Sequence, residues 1–72
     1  MEDKFLEIVE NVLRVKKEKL NMDMTRKDLE TWDSLAHIAL IAELEEELGV
    51  EIPIEEVPNI KALKDFKKYF RE

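Results

Sequence analysis

Hydrophobic residues recur with the 3.6-residue period of an α-helix in three parts of the chain. The first part runs from Asp3 to about Lys19, and its apolar positions are Phe5, Ile8, Val9, Val12 and Leu13. The last part begins after Asn59, which is a suitable N-cap, and its apolar stripe is formed by Ile60, Leu63, Phe66 and Phe70. Both patterns predict amphipathic helices that bury one face.

The middle helix is predicted to begin near Asp33, with Asp33 or Thr31 as its cap, and to end at Gly49. Its core-facing side is formed by His37, Leu40, Ile41, Leu44 and Leu48. A second apolar cluster lies on roughly the opposite side and is formed by Leu35, Ile38, Ala39 and Ala42, with Glu45 and Glu46 one turn later. An edge helix of a small bundle cannot bury both sides, so the second side is a candidate docking surface unless the preceding connection covers it.

Two segments between these helices lack the helical period. The segment from Leu20 to Trp32 is predicted to be a long connection, pinned to the core by Met22, Met24, Leu29 and Trp32. After Gly49, the chain allows at most one short helix, with Pro53 in its first turn and Pro58 at its end. We therefore expect one domain over residues 1–72, an all-α four-helix bundle with three longer helices, one short helix and a long first connection.

Charge is distributed unevenly along the chain. Residues 28–60 contain ten acidic residues and no lysine or arginine, in a chain with a net charge of −6. Such a block repels phosphate backbones, so we expect a basic protein surface and not a nucleic acid as the partner. The simpler alternative is a solvated acidic face.

Other features of the composition exclude several classes of protein. The chain has no cysteine, so it can form neither a disulfide nor a thiolate metal site, and no metal site is predicted. It has no apolar run long enough to span a membrane, and its acidic first residues are unlike a secretory signal. We expect a complete, monomeric, cytoplasmic protein.

Three roles compete for Ser34, which stands at the start of the predicted middle helix. A serine at this position is usually the cap of the helix or a residue of its first turn. It could also be a nucleophile, because His37 lies three residues later, but no carboxylate is placed to orient that histidine and no glycine-containing nucleophile elbow is present. Finally, it could be a covalent attachment point, where helix amides and the helix dipole would favour a phosphodiester. Taken alone, the local chemistry favours capping.

Several motifs follow one another in the segment DLETWDSLAHIALIAELEEELGVEIPIEEVPNIKALKDFKKYF, from Asp28 to Phe70. They are the Asp33-Ser34-Leu35 tripeptide, the ALIAELEEELGVEIP helix and turn, the IPIEE entry to a short helix, and the final apolar stripe. In this order and spacing they resemble the acyl carrier protein family. The resemblance implies a four-helix bundle that bears a 4′-phosphopantetheine arm on Ser34, with Asp33 and Leu35 completing the attachment motif.

The resemblance also implies a function. A phosphopantetheinyl transferase would move the arm from coenzyme A to Ser34, and its terminal thiol would carry acyl groups as thioesters. The chain would be a non-catalytic carrier in a fatty-acid-like or specialised lipid or polyketide pathway. Its partners would be acyl-loading, condensing and acyl-transferring enzymes. The alternatives are an aminoacyl or peptidyl carrier, an unmodified helical adaptor, and a hydrolase using Ser34 and His37.

Recognition in the family uses the second helix and the residues near the arm. The residues that would bind partners here are Leu35, Ile38, Ala42, Glu45, Glu46, Ile54 and Ile60. Ala36 and Ala39 stand where carriers of fatty acid synthesis typically place acidic residues. This difference indicates a dedicated set of partner enzymes.

Overall fold

The computed structural model of the protein describes residues 2–70, and these form a bundle of helices. Helix α1 spans Glu2–Leu13 and helix α2 spans Ser34–Leu48. These two helices pack against each other. The first connection between them, residues 14–33, contains a single 3₁₀ turn at Lys17–Lys19. The two long helices match the two strongest apolar patterns of the sequence.

Two shorter helices complete the bundle. A 3₁₀ helix spans Ile54–Asn59. The last helix, residues 63–70, starts as a 3₁₀ turn at Leu63–Phe66 and continues as α3 at Lys67–Phe70. Within the described residues there is no β-strand, only one isolated bridge between Thr25 and Ala62. The predicted all-α, four-helix architecture is confirmed.

One hydrophobic core joins these elements. Its buried members are Phe5, Ile8, Val9, Leu13, Leu20, Leu29, Trp32, Leu40, Ile41, Leu44, Ile52, Ile60, Leu63, Phe66 and Phe70. At its centre the Phe5 ring lies 5.6 Å from the Phe66 ring and 4.9 Å from the Phe70 ring, centroid to centroid. These aromatic contacts hold α1 against the last helix.

Both ends of α2 are fixed by the residues that the sequence indicated. The Asp33 carboxylate accepts a hydrogen bond from the Ala36 amide at 2.8 Å, which identifies Asp33 and not Thr31 as the N-cap. At the other end Gly49 adopts φ 67°, and its amide donates to the Glu45 carbonyl at 3.0 Å. A left-handed glycine of this kind closes the helix.

Helix α1 ends six residues earlier than the predicted boundary near Lys19. Arg14 takes a left-handed conformation with φ 62°, although its amide still donates to the Glu10 carbonyl at 2.8 Å. The early end lets the chain turn, so that Val15 packs against the core and Leu20 becomes buried. The sequence does not predict this end, because a left-handed residue at the end of a helix is usually glycine or asparagine and Arg14 is neither.

The predicted cap of the last helix was also wrong, because Asn59 belongs to the preceding 3₁₀ helix. Asp65 provides the cap instead: its carboxylate accepts from the amides of Lys61 and Ala62 at 2.9 and 3.0 Å. The first connection satisfies the next two amides. Leu63 donates to the Met24 carbonyl at 3.0 Å, and Lys64 donates to the Met22 carbonyl at 2.9 Å.

The first connection is therefore pinned to the rest of the bundle, as the sequence predicted. Leu29 and Trp32 are buried, while Met22 and Met24 are half-buried and pack against the core. The backbone hydrogen bonds to the last helix add a second attachment, which explains how so small a bundle orders a long connection.

A buried hydrogen-bonded chain links the first connection to α2 and to the 3₁₀ helix. The indole nitrogen Nε1 of Trp32 donates to Nδ1 of His37 at 2.9 Å. Because an indole nitrogen can only donate, Nδ1 is the acceptor and the ring proton lies on Nε2, which donates to the Val57 carbonyl at 3.0 Å. Both side chains are buried, with 2% and 3% of their surface exposed. His37 is thus a core residue, as its position on the helix predicted.

Replacing Gly49 with alanine tests the end of α2. A Cβ at this position would meet no atom within 4 Å, so the cost is that of the left-handed backbone alone. We expect Gly49→Ala to lower the free energy of unfolding by about 1 kcal/mol in urea titrations. Glu47→Ala, on the exposed side of the same helix, should change it by less than about 0.5 kcal/mol. Equal effects of the two substitutions would contradict this explanation.

Replacing Trp32 with phenylalanine tests the buried chain. The change leaves Nδ1 of His37 without a donor, and we expect a loss of about 1–3 kcal/mol in the free energy of unfolding, followed by circular dichroism in urea. Tyr69→Phe is the matched control, because within the described residues the buried Tyr69 hydroxyl has no hydrogen-bond partner. The control should be close to neutral, and a Trp32→Phe protein as stable as the parent would show that the hydrogen bond contributes nothing.

Candidate functional site

The N-terminus of α2 presents the Ser34 side chain to solvent. Ser34 is the first residue of the helix and is exposed, while the capping role belongs to Asp33. Among the side-chain hydrogen bonds of residues 2–70, none involves the Ser34 hydroxyl. Ser34 is therefore a first-turn residue and not the helix cap, and its hydroxyl remains available for chemistry.

The backbone around Ser34 suits a phosphate group. Asp33 uses its side chain to hold the Ala36 amide and its carbonyl to hold the His37 amide, each at 2.8 Å. No hydrogen bond within the described residues uses the amides of Ser34 and Leu35, which belong to the first turn. Unpaired amides and the positive end of the helix dipole favour an anion at this place. A phosphodiester on the Ser34 oxygen fits the site.

His37 cannot act as a base for Ser34 in this arrangement. Its two ring nitrogens are both engaged, one with Trp32 and one with the Val57 carbonyl. The ring is buried and packs against the Trp32 and Phe66 rings, at centroid distances of 5.8 and 6.3 Å. The spacing of three residues places His37 near Ser34 along the helix, but its side chain is directed into the core.

The second apolar side of α2 is exposed. Leu35 and Ile38 leave 83% and 59% of their surface accessible, and Ala39 and Ala42 are exposed as well. The first connection therefore does not cover this side of the helix. Ile54, at the start of the 3₁₀ helix, is 84% exposed. These are the large hydrophobic side chains that the described surface leaves open.

A shallow groove separates α2 from the 3₁₀ helix. It has a volume of about 370 Å³, and its lining residues include Ile38, Ala42, Glu45, Ile54 and Val57. The groove runs between the exposed side chains of the two elements, so it joins them into one apolar surface. We call Leu35, Ile38, Ala42 and Ile54 the apolar surface.

Glu45 and Glu46 are neighbours in the sequence but have different surroundings. The Glu45 carboxylate is half-buried and accepts a hydrogen bond from the Ile52 amide at 3.0 Å. That contact fixes the turn after Gly49 and with it the position of Ile54. Glu46 is exposed. Of the two carboxylates, Glu45 has a structural role, whereas Glu46 is available to a partner.

Ile60 does not belong to this exposed surface, which corrects the sequence-based expectation that it contacts partners. The side chain is buried, because the amide of Ile60 donates to the Val57 carbonyl at 3.3 Å and the resulting turn directs it into the core. Ile54 and Ile60 are six residues apart at opposite ends of the 3₁₀ helix, and only Ile54 is exposed.

One contact beside the site was not predicted from the sequence. The Arg26 nitrogen Nε donates to the Trp32 carbonyl at 3.3 Å, two residues before Ser34. No pattern in the sequence could identify this contact, because it depends on how the first connection folds back. Within residues 2–70, no group of acidic or histidine side chains could hold a metal ion, and no helix is long and apolar enough to cross a bilayer.

Comparison with known proteins agrees with this geometry. Residues 3–68 match the family model described as "Phosphopantetheine attachment site". The chain is 39% identical to an acyl carrier protein of Clostridium perfringens strain 13, over 100% of this chain and 95% of that protein. It is 31% identical to an acyl carrier protein of Rickettsia bellii strain OSU 85-389, over 100% of this chain and 89% of that protein.

The family match covers nearly all of the described residues, and the similarity to the Clostridium perfringens protein is measured over the whole chain. Members of this family interact with phosphopantetheinyl transferases and acyl-processing enzymes. The exposed hydroxyl, the phosphate-compatible first turn of α2 and the apolar surface beside it are features that this role requires. The chain belongs to the phosphopantetheine-attachment family of acyl carrier proteins, whose prosthetic group is covalently bound 4′-phosphopantetheine.

Proposed function

We propose that Ser34 is the residue of this chain that bears the 4′-phosphopantetheine arm. The exposure of Ser34 beside a cap already formed by Asp33 is the observation that carries the proposal. When bound, the group supplies a terminal thiol that holds acyl groups as thioesters. The chain itself does not need a catalytic base, because the transferase supplies the chemistry of attachment.

The residues around Ser34 have separate tasks in this proposal. The amides of Ser34 and Leu35 stabilise the negative charge of the attached phosphate. Asp33 keeps the first turn of α2 in place by holding the Ala36 amide, and its exposed position also allows contact with the transferase. Trp32 anchors the turn from inside through His37.

The apolar surface and Glu46 form the proposed docking site for partner enzymes. Burying a side chain as exposed as Leu35 or Ile54 in a partner would contribute about 1.5–3 kcal/mol. The Glu46 carboxylate at the rim would meet lysine or arginine, which accelerates association more than it tightens the complex. Such an interface suits a carrier that visits several enzymes in succession.

The proposed carrier acts as one domain over residues 1–72, as a monomer in the cytoplasm. Its partners are the transferase and acyl-loading, condensing and acyl-transferring enzymes. The pathway we propose is fatty-acid-like or a specialised lipid or polyketide pathway. Half-buried Ala36 and exposed Ala39 near the arm lower the acidity of the docking site and favour dedicated partners over general fatty acid enzymes.

Mass spectrometry tests the attachment site. Incubation with coenzyme A and a promiscuous phosphopantetheinyl transferase should add the mass of one phosphopantetheine to the parent protein and none to Ser34→Ala. Thr31→Ala, which removes a nearby exposed hydroxyl, should still be modified. A folded parent protein that gains no mass, or a Ser34→Ala protein that does, would overturn the proposal.

Charge reversal at the two glutamates separates docking from stability. We expect Glu46→Lys to slow modification several-fold at low salt with little change in unfolding, because an exposed rim charge mainly affects association. Glu45→Lys should instead lower the free energy of unfolding by about 1 kcal/mol, since the Ile52 amide loses its acceptor.

The control for these two variants is ionic strength. The rate difference caused by Glu46→Lys should shrink at high salt, where exposed charges are screened. If Glu46→Lys and the parent are modified at equal rates at low salt, the docking site lies elsewhere.

A further inference from the structure

Three cationic side chains of this acidic protein gather in one surface pocket. Arg26, Lys27 and Lys61, together with Thr25, line a surface pocket of about 360 Å³. The bridge between Thr25 and Ala62 brings the two segments together, and the Arg26 amide donates to the Lys61 carbonyl at 3.3 Å. The residues are far apart in sequence, on either side of the acidic block, and only the fold makes them neighbours.

These cations are available to a ligand. The ion pairs within the described residues are Lys17 with Glu7, Lys64 with Asp23, and Lys68 with Glu56. None of them involves a residue of the pocket. Lys27 and Lys61 are exposed, whereas Arg26 is half-buried and held in place.

Arg26 is the member of the group that is oriented. Its Nε donates to the Trp32 carbonyl at 3.3 Å, and no other side-chain hydrogen bond of Arg26 occurs among residues 2–70. The two terminal nitrogens of the guanidinium therefore keep their four N–H groups for another acceptor. A guanidinium fixed in this way can donate two parallel hydrogen bonds, the guanidinium fork, to two oxygens of one phosphate.

The covalent chain limits the distance from this guanidinium to Ser34. Trp32 precedes Ser34 by two residues, and consecutive Cα atoms are about 3.8 Å apart, so the two Cα atoms are separated by at most about 7.6 Å. Arg26 is hydrogen-bonded to the Trp32 carbonyl at one end of this short segment, and the proposed phosphate is attached to Ser34 at the other end. An arginine side chain and a phosphorylated serine side chain together can cover such a span.

We propose that Arg26 is the counter-ion of the phosphodiester on Ser34, with Lys27 and Lys61 adding positive potential around it. Arg26 is then a positioning residue. It holds the phosphate end of the arm against the first connection and restricts the directions in which the arm extends from α2. This inference rests on the proposed attachment at Ser34. It assigns a role to the cations that the docking surface on α2 does not use.

Nuclear magnetic resonance of the modified protein tests the proposal, after mass spectrometry has shown the attachment. In ¹⁵N spectra, the Arg26 Nε–H signal should move on modification by more than its linewidth. Arg26→Gln should shift and narrow the ³¹P signal of the phosphodiester, and Arg26→Lys should have a smaller effect because it keeps the charge without the fork. Lys19→Gln, an exposed site in the first connection with the same change in charge, should leave the ³¹P signal unchanged.

Salt and free phosphate separate this explanation from others. The effect of modification on Arg26 should decrease in 1 M NaCl, where the screening length is about 3 Å. A modified, folded protein whose Arg26 Nε–H signal does not move, and whose ³¹P signal is the same in Arg26→Gln, would overturn the inference while leaving Ser34 as the attachment site. Inorganic phosphate that shifts Arg26 in the unmodified protein, without any shift on modification, would show a site for a free anion and would also overturn it. Failure to gain mass at Ser34 would overturn both proposals.

Discussion

The hydrogen-bonded chain from Trp32 through His37 to the Val57 carbonyl holds the functional end of the molecule together. Through this chain the first connection, α2 and the 3₁₀ helix meet by polar contacts inside the core. Each atom in the chain has one available role: the indole donates, which makes Nδ1 an acceptor and Nε2 a donor. A buried polar group is costly when unpaired, so the fully paired arrangement favours a single relative placement of the three elements.

This placement explains why the proposed attachment site can be both exposed and well defined. Trp32 is fixed inside the core, Asp33 caps α2, and Ser34 follows directly with its hydroxyl in solvent. The buried contact of Trp32 holds the inner side of the turn, and the exposed Asp33 cap holds the turn at the surface without using the Ser34 hydroxyl. Glu45 stabilises the other edge of the proposed docking site. Its carboxylate accepts a hydrogen bond from the Ile52 amide, which fixes the turn that leads to exposed Ile54.

Much of the fold follows from local sequence rules, and the exceptions have a common physical cause. The span of α2 was predictable because an aspartate and a glycine mark its ends. The end of α1 at Leu13 and the start of the last helix at Leu63 were not, because the left-handed Arg14 and the carbonyls of Met22 and Met24 take their roles from tertiary packing. Local rules identify helix ends that are marked by the usual capping residues, and they miss an end formed by a left-handed arginine or one that is supported by carbonyls of a distant segment.

The same distinction applies to the site. Helical spacing indicated the exposed apolar side of α2 and the core position of His37, whereas attachment at Ser34 was implied by the resemblance to the acyl carrier protein family. The sequence could not distinguish Glu45 from Glu46, or exposed Ile54 from buried Ile60, because these differences arise from turns whose geometry the residue types do not specify. Arg26 was missed for the same reason.

Trp32 has a practical consequence because it is the only tryptophan in the chain. Its indole is buried beside the Phe66 ring and donates to an imidazole whose own position depends on the 3₁₀ helix. At wavelengths longer than those of tyrosine, the ultraviolet absorption and emission of the protein therefore come from the single indole of Trp32. This indole lies where the first connection, α2 and the 3₁₀ helix meet. The fluorescence of Trp32 therefore reports whether its contacts with His37 and the neighbouring elements are intact, and no dye or engineered label is required.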